Sequence, residues 1–285
     1  MKKYKSIVNQ KLPIAIQGYE GSFHHQAVEK IFGKSAAILP CSTFYSLIQA
    51  VETNKARAGV MAIENSIAGS ILPNYTLLQN SSLQITAELY LPIKQHLLVN
   101  AGVNILDIKE VHSHPMAIQQ CMQYLQQFNW KLVDTEDTAL SAKHIHIHKA
   151  KHIAAIAGKQ AASLYGLEIV AANIHTQKNN FTRFLVLQKL TDNIIVTNTT
   201  KASIYFTLPH TKGSLATLLT AIAKANINLS KLQSMPIAGT KFLYAFHADI
   251  EFAEQTQFSY LLQQIQQYVT HFKILGQYIN SKHEH

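Results

Sequence analysis

Residues Asn180-Phe181-Thr182-Arg183-Phe184 set an amide, a hydroxyl, a permanent cation and two aromatic rings side by side. On a strand, side chains alternate, so Asn180, Thr182 and Phe184 share one face while Phe181 and Arg183 share the other. At a strand end both sets can line a cleft. That grouping suits an anionic, ring-shaped substrate with an oxygen to be protonated; the plainer alternative is a buried strand ending in a surface Arg.

Three further polar turns follow apolar runs. Ser22, after Gly18-Tyr19-Glu20-Gly21, is placed to cap a helix beginning at His24, and the free N–H groups of a helix start attract carboxylates. Glu64-Asn65-Ser66 follows Gly59–Ile63, a strand-to-helix junction of the kind where open α/β sheets hold ligands. Ser113-His114-Pro115 follows Val111-His112, with His114 either a ligand donor or a packed turn residue. Each turn by itself reads equally as a helix cap; together they point to a cleft.

The elements that must position these turns alternate in type. Over 12–189, short apolar runs (Ile14–Ile16, Gly59–Ile63, Ile85–Leu91, Gln95–Val99, Ile153–Ala157, Phe181–Leu187) alternate with amphipathic stretches, an α/β signature. Helices are predicted from His24 into Phe32, over Thr43–Thr53, from the Glu64-Asn65-Ser66 turn to Gln79, and from Pro115 to Gln127. Residues 191–199 are polar and mark a boundary. Beyond it Lys201–Leu208, Ile227–Ser234, Phe242–Ile250 and Phe272–Tyr278 read as strands. Leu215, Leu218, Leu219 and Ile222 lie on one helix face, and Glu254–Tyr268 forms a second helix. The order β-α-β-β-α-β is that of a ferredoxin-like module. The tail from Ser281 is expected to be disordered.

Bulk properties narrow the function classes. The chain has 285 residues, 47% of them hydrophobic, enough for about two domains with cores. No run approaches the roughly 18 apolar residues of a membrane span, and Met1-Lys2-Lys3-Tyr4-Lys5 is not followed by the apolar stretch of a signal peptide, so the cytoplasm is the expected compartment. The two cysteines, Cys41 and Cys121, are in no metal or redox spacing and read as reduced thiols. The formal charge is +9, yet the basic residues are scattered without an aromatic-basic repeat, which suits steering of small dianions better than nucleic-acid binding. Among 15 histidines, His144, His146 and His148 share a strand face, or His144 and His148 a helix face; a solvated outer face is the expected role, and no metal is assigned.

Gly18-x-x-Gly21-Ser22-Phe23 with His25 and Ala27, Ile63-Glu64-Asn65-Ser66 with Gly69, Ser113-His114-Pro115 with Gln120-Cys121, and the Asn180–Phe184 run resemble, in order, the motifs of prephenate dehydratases. The following module resembles the family's ACT regulatory domain. The resemblance implies an α/β catalytic domain over 12–190 of two lobes, like type II periplasmic binding proteins: one lobe of about 12–90 and 170–190, the other of about 91–169. The ferredoxin-like (βαββαβ) ACT domain would span 201–280. It implies decarboxylative dehydration of prephenate to phenylpyruvate without metal or organic cofactor, in a monofunctional chain. Thr182 would be the catalytic hydroxyl and Arg183 the clamp on the pyruvyl carboxylate. Asn65, Ser66 and Ser22 would be neutral donors, Phe184 or Phe181 a platform for the ring, and His25, His114 and Asn180 supporting contacts. Ala62, Met116 and His24 depart from the residues usual in the family.

L-Phenylalanine is the effector the resemblance implies, held by Gly213-Ser214-Leu215-Ala216 and by Gln233, Ser234 and Pro236, within a dimer or tetramer. Gln233 lacks the charge of the family's Glu, and Met235 replaces its Arg. Two readings compete: arogenate, the aminated substrate, in place of prephenate, and a non-catalytic aromatic amino-acid sensor. A DNA-binding regulator finds no helix-turn-helix candidate.

Overall fold

The computed structural model describes residues 12–190, 198–241 and 243–281. The boundary expected at 191–199 and the tail after Ser281 lie largely outside them, as do the first residues of the chain. In chain order the elements begin β1 (Ile14–Gln17), α1 (Phe23–Phe32), β2 (Ile38–Cys41), α2 (Phe44–Glu52), β3 (Ala58–Asn65), β4 (Gly69–Ser70), α3 (Leu72–Asn80) and β5 (Gln84–Pro92). They continue with β6 (His96–Val99), β7 (Glu110–Ser113), α4 (Pro115–Gln120), α5 (Met122–Leu125), β8 (Lys131–Asp134), α6 (Thr138–Ile147), β9 (Ile153–Ala157), α7 (Lys159–Tyr165), β10 (Glu168–Ala171) and β11 (Phe181–Gln188). The last six are β12 (Lys201–Thr207), α8 (Ser214–Lys224), β13 (Asn228–Pro236), β14 (Tyr244–Glu251), α9 (Gln255–Ile265) and β15 (His271–Tyr278). The chain is thus mixed α/β, as its alternating pattern predicts.

Contacts divide the described residues into two compact units, one of 12–70 with Tyr90–Phe184 and one of Ile71–Leu89 with the residues from 185 onward. In the first unit β1 lies between β2 and β3, parallel to both. Apolar β1 is buried throughout its first three residues because α1 and α2 pack against this sheet. Gly59 on β3 allows the close approach of α2: a methyl group there would meet Leu47 at 2.6 Å. A second sheet runs β10-β6-β9-β7-β8. Alternation along β6 and β9 feeds two cores, Leu97, Val99, Ala154 and Ile156 on one side, Leu98, Ala155 and Ala157 on the other. Each burial is driven by the removal of apolar area from water.

Two expectations about helices change here. The helix predicted directly after Glu64-Asn65-Ser66 is preceded by a tight hairpin, because β3 runs on through Asn65 and pairs with β4 before α3 starts. The helix predicted over 115–127 breaks at Cys121, whose ψ of 3° ends α4 before α5 begins. Strands β2, β8 and β10 escape the sequence pattern; β2 carries Pro40, and β8 and β10 are largely exposed.

In the second unit β13-β14-β12-β15 are neighbours in antiparallel register, completing the βαββαβ order. Helices α8 and α9 cover one face, with Ile204, Phe206, Leu218, Ile222, Ile250 and Phe258 in the core between. The other face of this sheet carries buried polar groups, some of them paired. Lys201 Nζ donates to both oxygens of Glu88 on β5 at 3.1 Å, and Ser281 binds the same carboxylate at 3.2 Å. Gly276 on β15 sits directly against the backbone of Ile85, where no side chain fits. His247, on β14, lies edge-on to Tyr75 and Tyr205 at 5.1 and 5.2 Å. Burial pushes this histidine down to about 4.

Candidate active site

Asn65 ends β3 in the first unit, and Thr182 begins β11 beside it. The Asn65 carboxamide is fixed from both ends. Its Oδ1 accepts from the backbone N–H groups of Ile67 and Ala68 at 3.0 and 2.9 Å, closing the hairpin turn as Asn side chains commonly do. Its Nδ2 lies 2.7 Å from Asn180 Oδ1, 3.1 Å from the Phe181 carbonyl and 3.0 Å from Thr182 Oγ1. The amide hydrogens occupy acceptor positions around the threonine. Thr182 is half-buried, and among the described residues its own hydroxyl proton has no acceptor, so it remains to be donated.

Asn180 extends the chain of amides. It is 1% exposed, and its Nδ2 donates to Gln120 Oε1 at 3.1 Å while its Oδ1 takes the Asn65 bond. Gln120 closes α4, the helix that starts at His114, and its carbonyl accepts from Thr176 at 2.9 Å. The amides therefore connect Thr182 to the helix that carries His114. Asn180 supports the site from beneath and is not presented to a ligand. Ser66 is exposed and also bonds within the protein: its Oγ accepts from Phe181 N at 2.9 Å and donates to the Asn179 carbonyl at 3.2 Å.

Strand alternation separates other expected partners. Arg183 is 4% exposed, with its guanidinium 5.9 Å from the Tyr90 ring centre, while Thr182 meets Asn65. Adjacent residues of a strand point to opposite faces, so Arg183 and Thr182 have different neighbours at this end of β11. Phe184 is 1% exposed and packs edge-on against His24 at 5.0 Å, so it fills the core in place of stacking on a substrate. His24 in turn accepts from the Ala62 N–H through Nε2 at 3.3 Å, and burial pushes it down to about 4. Two of the family departures, His24 and Ala62, thus meet in one contact. Phe181 remains half-buried, its carbonyl taking bonds from Ser66 N and Asn65.

The remaining turns come together on the other side. Ser22 caps α1, its Oγ accepting from His25 N at 3.3 Å, while His25 Nδ1 accepts from Gly21 N at 3.0 Å. His114 caps α4 through Nδ1, which accepts from Met116 N at 3.2 Å; in the neutral ring the proton is then on Nε2, a donor. Gly18 and Gly21 have φ of 91° and 84°, in the region that favours glycine. Against this turn lies the start of α6. Tyr19 Oη donates to Glu136 Oε1 at 2.7 Å, and Tyr165 donates to the Glu20 carbonyl at 2.9 Å. A carbon at the Cβ position of Gly18 would fall 3.0 Å from Asp137 Oδ2. Burial pushes the Asp137 carboxyl up, opposed by bonds from Leu140 and Ala139 backbone N–H groups. Nothing in the sequence marks the place of Asp137 beside Gly18, and Gln120 stands there only as part of a motif.

In the second unit a cavity of about 240 Å³ is lined by Ser214 and Leu215 at the start of α8, with His210, Tyr244, Phe246 and Thr270. Gly213 precedes the helix with φ of 85°, and Ala216 is exposed one position beyond Leu215. Gln233, Ser234 and Pro236 are not in this lining; Gln233 Nε2 donates to the Ser234 carbonyl at 2.9 Å. The histidines of α6 face outward, His144 and His148 with ring centres 6.1 Å apart. Cys121 is fully buried and its thiol pushed up to about 12 by burial; Cys41 is also free. Among the described residues no helix is long and apolar enough to cross a membrane.

Residues 14–192 match the family model of prephenate dehydratase. The arogenate dehydratase/prephenate dehydratase 2 of Arabidopsis thaliana, a chloroplastic protein, is 35% identical over 281 residues, covering 94% of this chain and 73% of the relative. Two solved structures overlay on nearly the whole chain. One, described as GqqA, a novel type of quorum-quenching acylase, has a TM-score of 0.86 at 27% identity, with 95% of this chain and 99% of that one covered. The other, a prephenate dehydratase from Arthrobacter aurescens in complex with L-Phe, has a TM-score of 0.85 at 24% identity, with 95% and 90% covered, a likeness of fold. The ordered turns, the amide-held threonine, the matched domain and the identity over almost all of the sequence lead to one assignment: the chain belongs to the prephenate dehydratase family.

Proposed function

We propose that this protein is a hydro-lyase that converts prephenate, or its aminated analogue arogenate, to the aromatic product with loss of carbon dioxide and water. The carrying observation is the 3.0 Å contact from Asn65 Nδ2 to Thr182 Oγ1, which leaves the threonine proton for a ligand. In the reaction the bond from the ring to its carboxylate breaks, and that electron pair becomes part of the aromatic ring as the opposite C–O bond breaks. The departing hydroxide takes one proton and leaves as water, so prephenate dianion plus one proton gives phenylpyruvate anion, carbon dioxide and water. Aromatisation supplies the driving force; the protein has to orient the ring and supply the proton.

Thr182 donates a hydrogen bond to the leaving oxygen and passes on a proton drawn from solvent, because an alcohol is too weak an acid to be the final source. His114, with a donor at Nε2, and the turn at Ser22 accompany it at the substrate. Residues 12–190 form the catalytic domain and 201–280 the ACT domain in this reading. The net charge of +9 favours capture of a dianion. We assign the protein to the cytoplasm as a homo-oligomer, and L-phenylalanine to the cavity beside Ser214 and Leu215 as its effector.

Phenylpyruvate formation by wild type and Thr182→Ala tests the central assignment. Loss of about 10²–10⁴-fold in kcat by the folded variant is the expected result; undiminished turnover removes Thr182 from the mechanism. The acylase likeness defines a further arm. Hydrolysis of an acyl amide by wild type, with neither dehydratase substrate consumed, would displace the dehydratase reading.

A further inference from the structure

We infer that Asp137 selects the amino-acid form of the substrate over the keto-acid form by receiving its ammonium group. This rests on the dehydratase reading and adds to it a residue that discriminates between arogenate and prephenate. The two molecules share the ring, the leaving hydroxyl and both carboxylates. They differ at one carbon of the side chain, which bears an ammonium in one and a carbonyl oxygen in the other. A residue that tells them apart must therefore carry negative charge or an acceptor at the side-chain end of the site.

Asp137 has that chemistry at the turn shared by Gly18 and Ser22. A Cβ at Gly18 would lie 3.0 Å from its Oδ2 and 3.9 Å from Ser22 Cβ, so the carboxylate sits against this turn and glycine at residue 18 leaves it room there. One oxygen, Oδ1, is committed to the helix cap at 2.9 Å from Leu140 N. Among the described residues no lysine or arginine pairs with the carboxylate; beyond the backbone N–H groups of Leu140 and Ala139 that bond it, the groups that act on its charge are His114 and Glu136, the latter held by Tyr19. A half-desolvated carboxylate without a fixed cation is disfavoured until one arrives. An ammonium supplies it. The keto-acid instead brings a carbonyl oxygen to the same carboxylate, two acceptors with no proton between them, and is rejected unless Asp137 takes up a proton. Its carboxyl is already pushed up by burial, which is the environment that makes a charged partner matter.

The test compares kcat/KM for arogenate and for prephenate in wild type and Asp137→Asn. Asparagine caps helices about as well as aspartate, so α6 should keep its start; an unchanged Tm checks this. Wild type is expected to prefer arogenate. The variant should lose about 10–100-fold on arogenate and hold or gain on prephenate, collapsing the ratio. A ratio that does not move, whether both substrates fall together or neither falls, overturns the role of Asp137 while leaving the dehydratase reading intact. A wild type that turns over neither substrate overturns both. Asp137→Glu, which keeps the charge, should retain the preference for arogenate; a Glu variant that behaves like the Asn variant also counts against the inference.

Discussion

Asn65 Nδ2 lies 3.0 Å from Thr182 Oγ1, and the Asn65 Oδ1 is held by two backbone N–H groups of its own turn. The donor therefore cannot be exchanged for an acceptor by flipping the amide without breaking the turn. This turns the threonine proton away from Asn65.

Replacing Asn65 by Asp should test that direction. The shape is kept, but a carboxylate oxygen replaces the amide nitrogen and draws the Thr182 proton inward. We expect kcat to fall about 10²-fold or more while KM changes little, since the lost interaction belongs to proton delivery. Asn65→Ala should show a similar fall in kcat together with lower stability. A drop in KM-dependent affinity alone, with kcat intact, would place Asn65 in binding.

Asn180 predicts a different signature. Its side chain bridges Asn65 and Gln120 while fully buried, so Asn180→Ala removes one acceptor from Asn65 and the donor to Gln120 and leaves a cavity between them. Loss of about 1–3 kcal/mol of stability is expected, from the desolvated groups left behind. Gln120→Ala should cost less, because Gln120 is only half-buried and water can replace it. Chemical denaturation of the two variants gives the comparison.

Acid stability follows from His24 and His247. Burial lowers both from the ordinary 6.5 to about 4, so the unfolded chain binds protons on these rings before the folded chain does. Stability is therefore greatest above about 6.5 and is lost as the pH falls from there toward 4, by at most about 3 kcal/mol for each ring. His24→Gln, which retains a group able to accept from Ala62, should flatten this dependence. A folding free energy independent of pH between 4 and 6.5 would contradict it.

Lys201 and Glu88 provide a test of packing in the second unit. Removing one charge leaves the other buried, so Lys201→Met should destabilise by about 3–5 kcal/mol. Lys201 Nζ also lies 3.7 Å from Glu251 Oε1, so adding Glu88→Leu should recover the part of that loss that comes from the unpaired Glu88 charge. Thermal unfolding of the single and double variants measures the coupling.

L-Phenylalanine binding is expected in calorimetry and should weaken when Leu215 is replaced by a larger, charged residue, since Leu215 lines the 240 Å³ cavity. Gln233→Glu restores the charge usual at that position in the family. Unaltered affinity in Gln233→Glu would agree with its absence from the cavity lining; a tenfold gain would mean that β13 reaches the effector after all.

The sequence by itself determined the periodic parts of this protein. Ile14–Ile16, Gly59–Ile63 and the heptad-like spacing from Leu215 to Ile222 announce their elements, because burial imposes a period of 2 or 3.6 on apolar residues. The turns at Ser22, Asn65, His114 and Thr182 were legible as a set, since their residue types and order resemble those of one family. What the tertiary structure alone decided is which side chains are spent on one another. Ser66 and Asn180 have the composition of ligand donors yet bond within the protein, and Phe184 looks like a platform yet packs on His24. Alternation on β11 was written in the sequence, but only its neighbours show that Thr182 meets Asn65 and Arg183 meets Tyr90. Asp137 beside Gly18 joins residues more than a hundred positions apart. Local propensity carries no information about such a pair; only the packing of α6 against the turn after β1 brings them together.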